Sequence, residues 1–157
     1  MIEVEHTLEI ERPADEVFDY LSDVARLPEW QESAERVEVE GELREGARFR
    51  EVRSFMGRRA TSTLEVTEYR RPTRFSLYVV EGPVKYAVEH ALEDVGGRTR
   101  ITFVARGGTD RIPRLMRGTV RRMVERQFVK DLGSLKRRLE GTVADSPATT
   151  RAGGACP

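Results

Sequence analysis

Residues 112–140 read IPRLMRGTVRRMVERQFVKDLGSLKRRLE, and this stretch decides the fold. Its apolar residues recur every three or four positions, with arginines and lysines between them, which predicts one amphipathic helix. At about 1.5 Å per residue, roughly 29 residues give a helix of about 43 Å, long enough to cross a whole β-sheet. Gly141 follows the stretch and is expected to end the helix.

The chain before this helix alternates apolar and polar residues, which is typical of strands. The alternation starts in residues 2–10 and, after Trp30, continues over roughly 75 residues. Turns that contain glycine or proline interrupt it, for example at residues 82–83 and 96–97. Because short turns join the seven predicted strands, we expect an antiparallel sheet.

Two short helices are predicted between the first strand and the second. Pro13, followed by Asp15 and Glu16, is typical of a first helical turn. Asp23 can cap a second stretch, in which apolar residues recur at three-residue spacing as far as Trp30. The predicted order is therefore strand, two short helices, six strands and one long helix.

Composition bounds the class of protein. A chain of 157 residues corresponds to one domain, and no apolar run approaches the roughly 18 residues of a membrane span. The first residues do not form a basic signal peptide, so we expect a soluble cytoplasmic protein. One cysteine and two histidines predict no internal disulfide, no metal site and no cofactor. Residues 142–157, poor in large apolar residues, are predicted to be a disordered tail.

Charge is unevenly distributed, although 27 basic residues balance 27 acidic ones. Residues 1–45 hold fifteen acidic and four basic residues, a net charge of −11. Residues 111–140 hold ten basic and three acidic residues, a net charge of +7. Either the two segments meet in the fold, or the helix keeps a basic face for an anionic partner.

Four stretches carry a resemblance to a known family. They are IERPADEVFDYLSD at residues 10–23, LPEW at 27–30, RSFMGR at 53–58 and DLGSLK at 131–136. On these stretches the chain resembles the START-like (SRPBCC) superfamily, which includes the birch-pollen-allergen-like proteins, and in particular its bacterial polyketide cyclase/dehydrase branch. The resemblance extends from residue 2 to about residue 141, and it implies one domain over residues 1–141.

The resemblance implies an α+β helix-grip fold, in which a curved seven-stranded antiparallel sheet wraps around the long C-terminal helix. It also implies an apolar cavity between the sheet and the helix, the usual form of a small-molecule site. The inward phase of the strands and the helix then supplies the candidate ligand-binding residues, which are Trp30, Phe49, Arg53, Phe55, Leu77, Tyr86, His90, Phe103, Met116, Val120 and Met123.

Several candidates have a structural interpretation beside the functional one. His6 and His90 both fall in the inward phase, two strands apart in the implied topology and so too far apart to share a zinc ion. Each is a packed core residue or, for His90 with Tyr86, a group that polarises a ligand carbonyl. Glu51 and Arg53 are either a cross-strand structural pair or an anchor for an anionic ligand group.

Trp30 is either a core residue or a platform for the ligand. The basic helix positions are either a solvated face or a surface for an anionic partner. Aromatic residues that could stack on bases are missing between them, so we expect no nucleic-acid partner. These basic positions are Arg114, Arg117, Arg121, Arg122, Arg126 and Lys130.

Three functions therefore remain open. The first is the binding of a hydrophobic small molecule, such as a polyketide, a lipid or an isoprenoid, by a monomer or a homodimer. The second is a polyketide aromatase/cyclase in which His90, Tyr86 and Arg53 orient the chain and assist enolisation and dehydration. The third is an interaction module that presents the basic helix face to an acidic partner.

Overall fold

The structure is a computed structural model of the 157-residue chain. It describes the backbone of residues 1–55 and 57–154, and the side chains of residues 1–54 and 57–141. The predicted disordered tail, residues 142–157, lies outside the described side chains, and its disorder stays a prediction. The assignment of residues 1–141 to a single domain also stays a prediction.

The predicted order of elements is confirmed. The strands are β1 Ile2–Ile10, β2 Ala34–Val39, β3 Arg48–Phe55, β4 Arg58–Arg70, β5 Arg74–Glu81, β6 Tyr86–Val95 and β7 Arg98–Gly107. The helices are α1 Ala14–Ser22, α2 Leu27–Trp30 and α3 Arg117–Gly154, with 3₁₀ turns at Val24–Arg26 and Arg114–Met116.

All seven strands form one antiparallel sheet in the order β1-β7-β6-β5-β4-β3-β2. Each of β2 to β6 pairs with its successor along the chain, as hairpins require, and β1 pairs with β7 to form one edge of the sheet. At the β6–β7 turn Gly96 and Gly97 both have positive φ, +70° and +87°, which is the backbone that a tight two-residue hairpin needs. The helix-grip fold expected from the sequence is the fold of the chain.

The long helix differs from its prediction at both ends. It begins at Arg117 and not at Ile112, because Pro113 holds an extended backbone with ψ of 140° and disfavours helix at the residue before it. It also continues past Gly141, which has no positive φ and so does not form the left-handed cap that would end a helix.

The acidic and basic segments of the chain meet. Lys130 of α3 pairs with Glu32 at 2.7 Å, and Arg138 approaches Glu29 at 3.9 Å. On the outer face of the sheet Glu3 of β1 pairs with Arg106 of β7 at 2.6 Å. The uneven charge distribution is therefore balanced in part within the fold.

Candidate functional site

A row of aromatic rings crosses the inner face of the sheet. Phe75, His90 and Phe103 are register partners on β5, β6 and β7, so their side chains lie side by side on one face. The row continues at one end to Phe18 of α1, with a centroid distance of 6.3 Å to Phe75. At the other end Phe103 meets Phe128 of α3 at 4.6 Å. The row therefore connects α1 and α3 across the inner face of the sheet.

Burial along α3 changes at this row. On the C-terminal side, Leu132, Leu135 and Leu139 are buried in the core. On the N-terminal side, Val120, Met123, Val124 and Phe128 are only half-buried. The helix is thus closely packed against the sheet beyond Phe128 and loosely packed before it.

A polar cluster lies on the inner face of β3. The Arg53 guanidinium donates to both carboxylate oxygens of Glu51, at 3.1 and 3.0 Å. It also donates to Ser33 Oγ at 2.5 Å and to Gln31 Oε1 at 2.7 Å. Tyr86 of β6 donates its hydroxyl proton to Glu51 Oε1 at 2.9 Å. The buried Glu51 carboxylate therefore has a charged partner and a hydroxyl partner.

Electrostatics keeps this cluster ionised at Arg53 and protonated at Tyr86. Burial opposes the charge of Arg53, but the neighbouring Tyr86 and Glu51 outweigh it and raise its pKa above the usual value. Burial and the adjacent Glu51 charge both raise the pKa of the Tyr86 phenol. Near neutral pH the cluster thus contains a fixed cation, paired with Glu51, and a neutral phenol whose proton is donated to the same carboxylate.

A second polar cluster, formed by Asp131 and Gln127 of α3, lies beside the cluster of Arg53, Glu51 and Tyr86. Asp131 is buried, accepts a hydrogen bond from Gln127 Nε2 at 2.9 Å and another from the backbone N–H of Glu32 at 3.3 Å. Burial raises the pKa of Asp131 despite these hydrogen bonds and the positive charge of Arg53. The segment that follows α2 therefore contacts both clusters, through Gln31 and Ser33 on one side and Glu32 on the other.

His90 is held as a neutral base. Its Nδ1 lies 2.9 Å from the carbonyl oxygen of Phe75, and because a carbonyl only accepts, Nδ1 carries the proton. Burial lowers the pKa of His90 to about 4, so the ring is neutral near pH 7 and Nε2 keeps its lone pair. Within the described part of the chain Nε2 has no hydrogen-bond partner.

His6 and His90 lie on opposite sides of β7. Each pairs with Phe103, from opposite sides, so β7 lies between them as expected. Among the described residues no three His, Cys, Asp or Glu side chains are placed to hold a metal ion. In the same part of the chain no helix is long and apolar enough to cross a membrane.

Nine of the eleven predicted ligand-binding residues fall into two groups, and Phe55 and Met116 stand apart. Those packed in the core are Trp30, Phe49, Leu77, His90 and Phe103. Those half-buried around the N-terminal half of α3 and the polar cluster are Arg53, Tyr86, Val120 and Met123. Phe55 lies outside the described side chains. Met116 is 48% exposed, and its predicted inward position is wrong because it lies in the 3₁₀ turn before α3 begins.

Two further predictions are refined. Glu51 and Arg53 do pair, but along β3 itself and not across strands, since residues two apart on one strand share a face. Tyr86 and His90 share the inward phase of β6 without a common partner, because Tyr86 bonds to Glu51 and His90 to Phe75.

Sequence reasoning missed four residues that complete the polar clusters and one ring of the aromatic row. They are Gln31, Ser33, Gln127, Phe128 and Asp131. The sequence could have identified Phe128, because this residue lies in the apolar repeat of the helix. The polar four carry no local signal, since their role depends on where α3 lies beside the segment after α2.

Two surface depressions lie away from this interior. One, of about 430 Å³, is on the outward face of α3 and includes Arg122, Arg126 and Val129. The other, of about 580 Å³, lies among α1, α2 and the C-terminal part of α3. Neither is the cavity that the sequence predicts between the sheet and α3, which stays a prediction.

The curved sheet with a long helix across its inner face defines a START-like, helix-grip protein. The chain belongs to the family described as "Polyketide cyclase / dehydrase and lipid transport", whose model matches residues 1–140. No curated protein sequence matches the chain.

Solved structures share the fold over most of their length. The aromatase/cyclase Zhui from a Streptomyces species is 25% identical, with a TM-score of 0.72 over 90% of this chain and 94% of that one. The protein TTHA0849 from Thermus thermophilus is 22% identical, with a TM-score of 0.77 over 89% and 98%. A START superfamily protein from Mycobacterium smegmatis is 17% identical, with a TM-score of 0.66 over 92% and 99%.

Proposed function

We propose that the protein binds a hydrophobic small molecule between the sheet and residues 117–128, the N-terminal half of the part of α3 whose side chains are described. The observation that carries this proposal is the change in burial along α3, from fully buried leucines after Phe128 to half-buried apolar residues before it. An amphipathic helix ordinarily buries its whole apolar face. A half-buried stretch opposite an apolar sheet face is therefore where a ligand can complete the packing.

The polar groups beside this space set what the ligand would carry. Arg53 supplies a cation and Tyr86 a hydroxyl, both held by Glu51, and the side chains beyond this polar cluster are apolar. A mostly apolar site with a few placed polar groups is the usual form of a small-molecule site. We therefore expect a ligand with a large apolar body and one carbonyl, carboxylate or phenol group, the chemistry of a polyketide, a fatty acid or an isoprenoid quinone.

The experiment is native mass spectrometry of freshly purified protein, followed by thermal shifts with palmitate and with a hydroxylated anthraquinone. A co-purifying apolar compound, or a rise in melting temperature with either probe, supports the proposal. The matched variant Arg53→Met should weaken the binding of palmitate more than the binding of a neutral apolar probe. A protein that carries no small molecule and shows no shift with either probe contradicts it.

A second candidate function is polyketide cyclisation, which the lone pair of His90 favours. His90 Nε2, which has no hydrogen-bond partner among the described residues, can take a proton from a CH₂ group between two ketones as that group enolises. The resulting carbanion attacks a second carbonyl of the same chain, and the new C–C bond closes the ring. The alkoxide that forms takes the proton back from His90, and loss of water then introduces a double bond into the ring. The likeness to an aromatase/cyclase at 25% identity supports this function.

Turnover separates the two candidates. If the protein is a cyclase, His90→Phe should lower the rate of ring formation from a synthetic poly-β-ketone by at least about a hundredfold, the usual contribution of general-base catalysis. Binding of palmitate should survive the same change. Equal product from His90→Phe and the unaltered protein removes the catalytic role and leaves the binding proposal standing.

A further inference from the structure

The end of the molecule where α3 begins exposes apolar side chains. Leu115 is 98% exposed and Met116 48% exposed, both in the 3₁₀ turn before α3. Val84, in the β5–β6 turn, is 57% exposed. These three residues are called the apolar tip below. Large apolar side chains that protrude into water in adjoining segments are typical of an interaction surface.

Hydrogen bonds hold the two segments of the tip side by side. Arg111 Nη1 donates to the carbonyl oxygen of Pro83 at 3.3 Å, and the Gly108 N–H donates to that of Lys85 at 3.4 Å. The loop before α3 is therefore fastened to the β5–β6 turn. Val84 and Leu115 belong to one end of the molecule.

Positive charge surrounds the tip. Residues 82–85 and 110–117 hold four basic residues and one acidic residue, Asp110, a net charge of +3. Lys85, Arg111 and Arg117 donate only to carbonyl oxygens in the described structure, and Arg114 forms no ion pair there. Because carbonyl groups do not neutralise a cation, the field at this end stays positive.

The rest of the basic helix face is less suited to an anionic partner. Lys130 is paired with Glu32 and Arg121 with Glu125, at 2.7 and 3.5 Å. Arg122 and Arg126, which make no ion pair within the described residues, lie away from the tip with Val129 as their exposed apolar neighbour. Val129 lies in a depression and is 50% exposed, so this charged surface has no apolar side chain that projects as far as Leu115, which is 98% exposed.

We propose that the apolar tip docks on the surface of a bilayer that contains anionic phospholipids. Leu115 and Met116 enter the acyl boundary, and Lys85, Arg111 and Arg114 meet the headgroup phosphates, the arrangement of interfacial membrane-binding segments. A side chain that is almost fully exposed on a turn projects from the surface and does not line a groove. That shape fits insertion into lipid better than the cleft of a protein partner. The docking surface does not depend on the proposed ligand site.

Vesicle binding tests the proposal with the full chain. Sedimentation with vesicles of phosphatidylcholine containing phosphatidylserine should capture the protein, and vesicles of phosphatidylcholine alone should capture much less. Leu115→Ser should weaken capture about tenfold or more, since it removes a leucine side chain that docking would bury in lipid. Arg114→Ala should weaken it about fivefold at low salt. Val129→Ser and Arg122→Ala, on the outward face of α3, are the matched controls and should change it little.

A reporter at the tip distinguishes insertion from simple charge attraction. Tryptophan placed by Leu115→Trp should be quenched by brominated acyl chains, and tryptophan placed by Val129→Trp should not. Three results would overturn the proposal: no capture by the anionic vesicles, capture that Arg122→Ala abolishes but Leu115→Ser leaves unchanged, or quenching that is equal at the two positions. Binding of an acidic protein with no capture by vesicles would also overturn it.

Discussion

Tyr86 donates a hydrogen bond to Glu51 over 2.9 Å, although the two residues lie on β6 and β3, three strands apart in the sheet. In a flat sheet three strand spacings amount to about 14 Å. The contact therefore requires the sheet to curve around its inner face, and it fixes that curvature with a polar contact under the N-terminal half of α3.

Removal of the Glu51 carboxylate should destabilise the fold strongly. Glu51→Ala leaves the Arg53 guanidinium without its charged partner, and breaking a buried pair from one side costs about 3 kcal/mol or more. Urea unfolding measures the free energy change. The control is Glu38→Ala on β2, which breaks an exposed pair with Arg36 of the same two-residue spacing and should have little effect. Equal losses of unfolding free energy in the two variants would show that the inner cluster adds nothing to stability.

Stability should fall in acid because of His90. The pKa of an unfolded histidine is about 6.5, and burial lowers that of His90 to about 4 in the fold. Between these values the unfolded chain binds a proton that the folded chain does not, so the stability present above about pH 6.5 is lost as the pH falls toward about 4. The loss can reach about 3 kcal/mol.

The measurement compares the free energy of unfolding at pH 7 and pH 4.5, roughly the two ends of this window, for the unaltered protein and for His90→Phe. Subtraction removes the carboxylates that titrate in both proteins. The unaltered protein should lose more stability on acidification than the variant. Parallel pH profiles would mean that His90 is not held neutral in the fold.

Truncations along α3 should have unequal effects. Leu132→Ala empties a fully buried site and should cost about 2 to 5 kcal/mol. Met123→Ala, at a half-buried position on the other side of Phe128, should cost less than about 1 kcal/mol. Thermal or urea unfolding of both variants provides the comparison. A large loss of stability in Met123→Ala would show that this part of α3 is closely packed, which contradicts the loose packing inferred here.

The sequence predicts the elements of this fold better than their ends. Alternation locates the strands and the spacing of apolar residues locates α3, because both follow from the burial of one face. The start of α3 differs because Pro113 excludes the residue before it from the helix, and the helix passes through Gly141 because that glycine is not used as a cap.

The candidate site is predictable only along single strands. The inward phase identifies Arg53, Tyr86 and His90, because alternate residues share a face. It does not show that Tyr86 reaches Glu51 or that Ser33 meets Arg53, since these contacts depend on the curvature of the sheet and on the path after α2. The exposed Leu115 likewise belongs to the apolar repeat, and only the position of the helix start removes it from the interior.

The most direct test of the account is to fill the space under α3 and measure binding. Val124 is half-buried on the loosely packed part of the helix, and Val129, five residues further along, is 50% exposed on the outward face. The measurement is the affinity for anilinonaphthalene sulfonate, by fluorescence and by displacement with palmitate, in Val124→Trp and in the matched Val129→Trp. We predict that Val124→Trp loses at least about tenfold in affinity and that Val129→Trp matches the unaltered protein. Equal affinity in all three proteins would contradict a ligand site beneath the N-terminal half of α3.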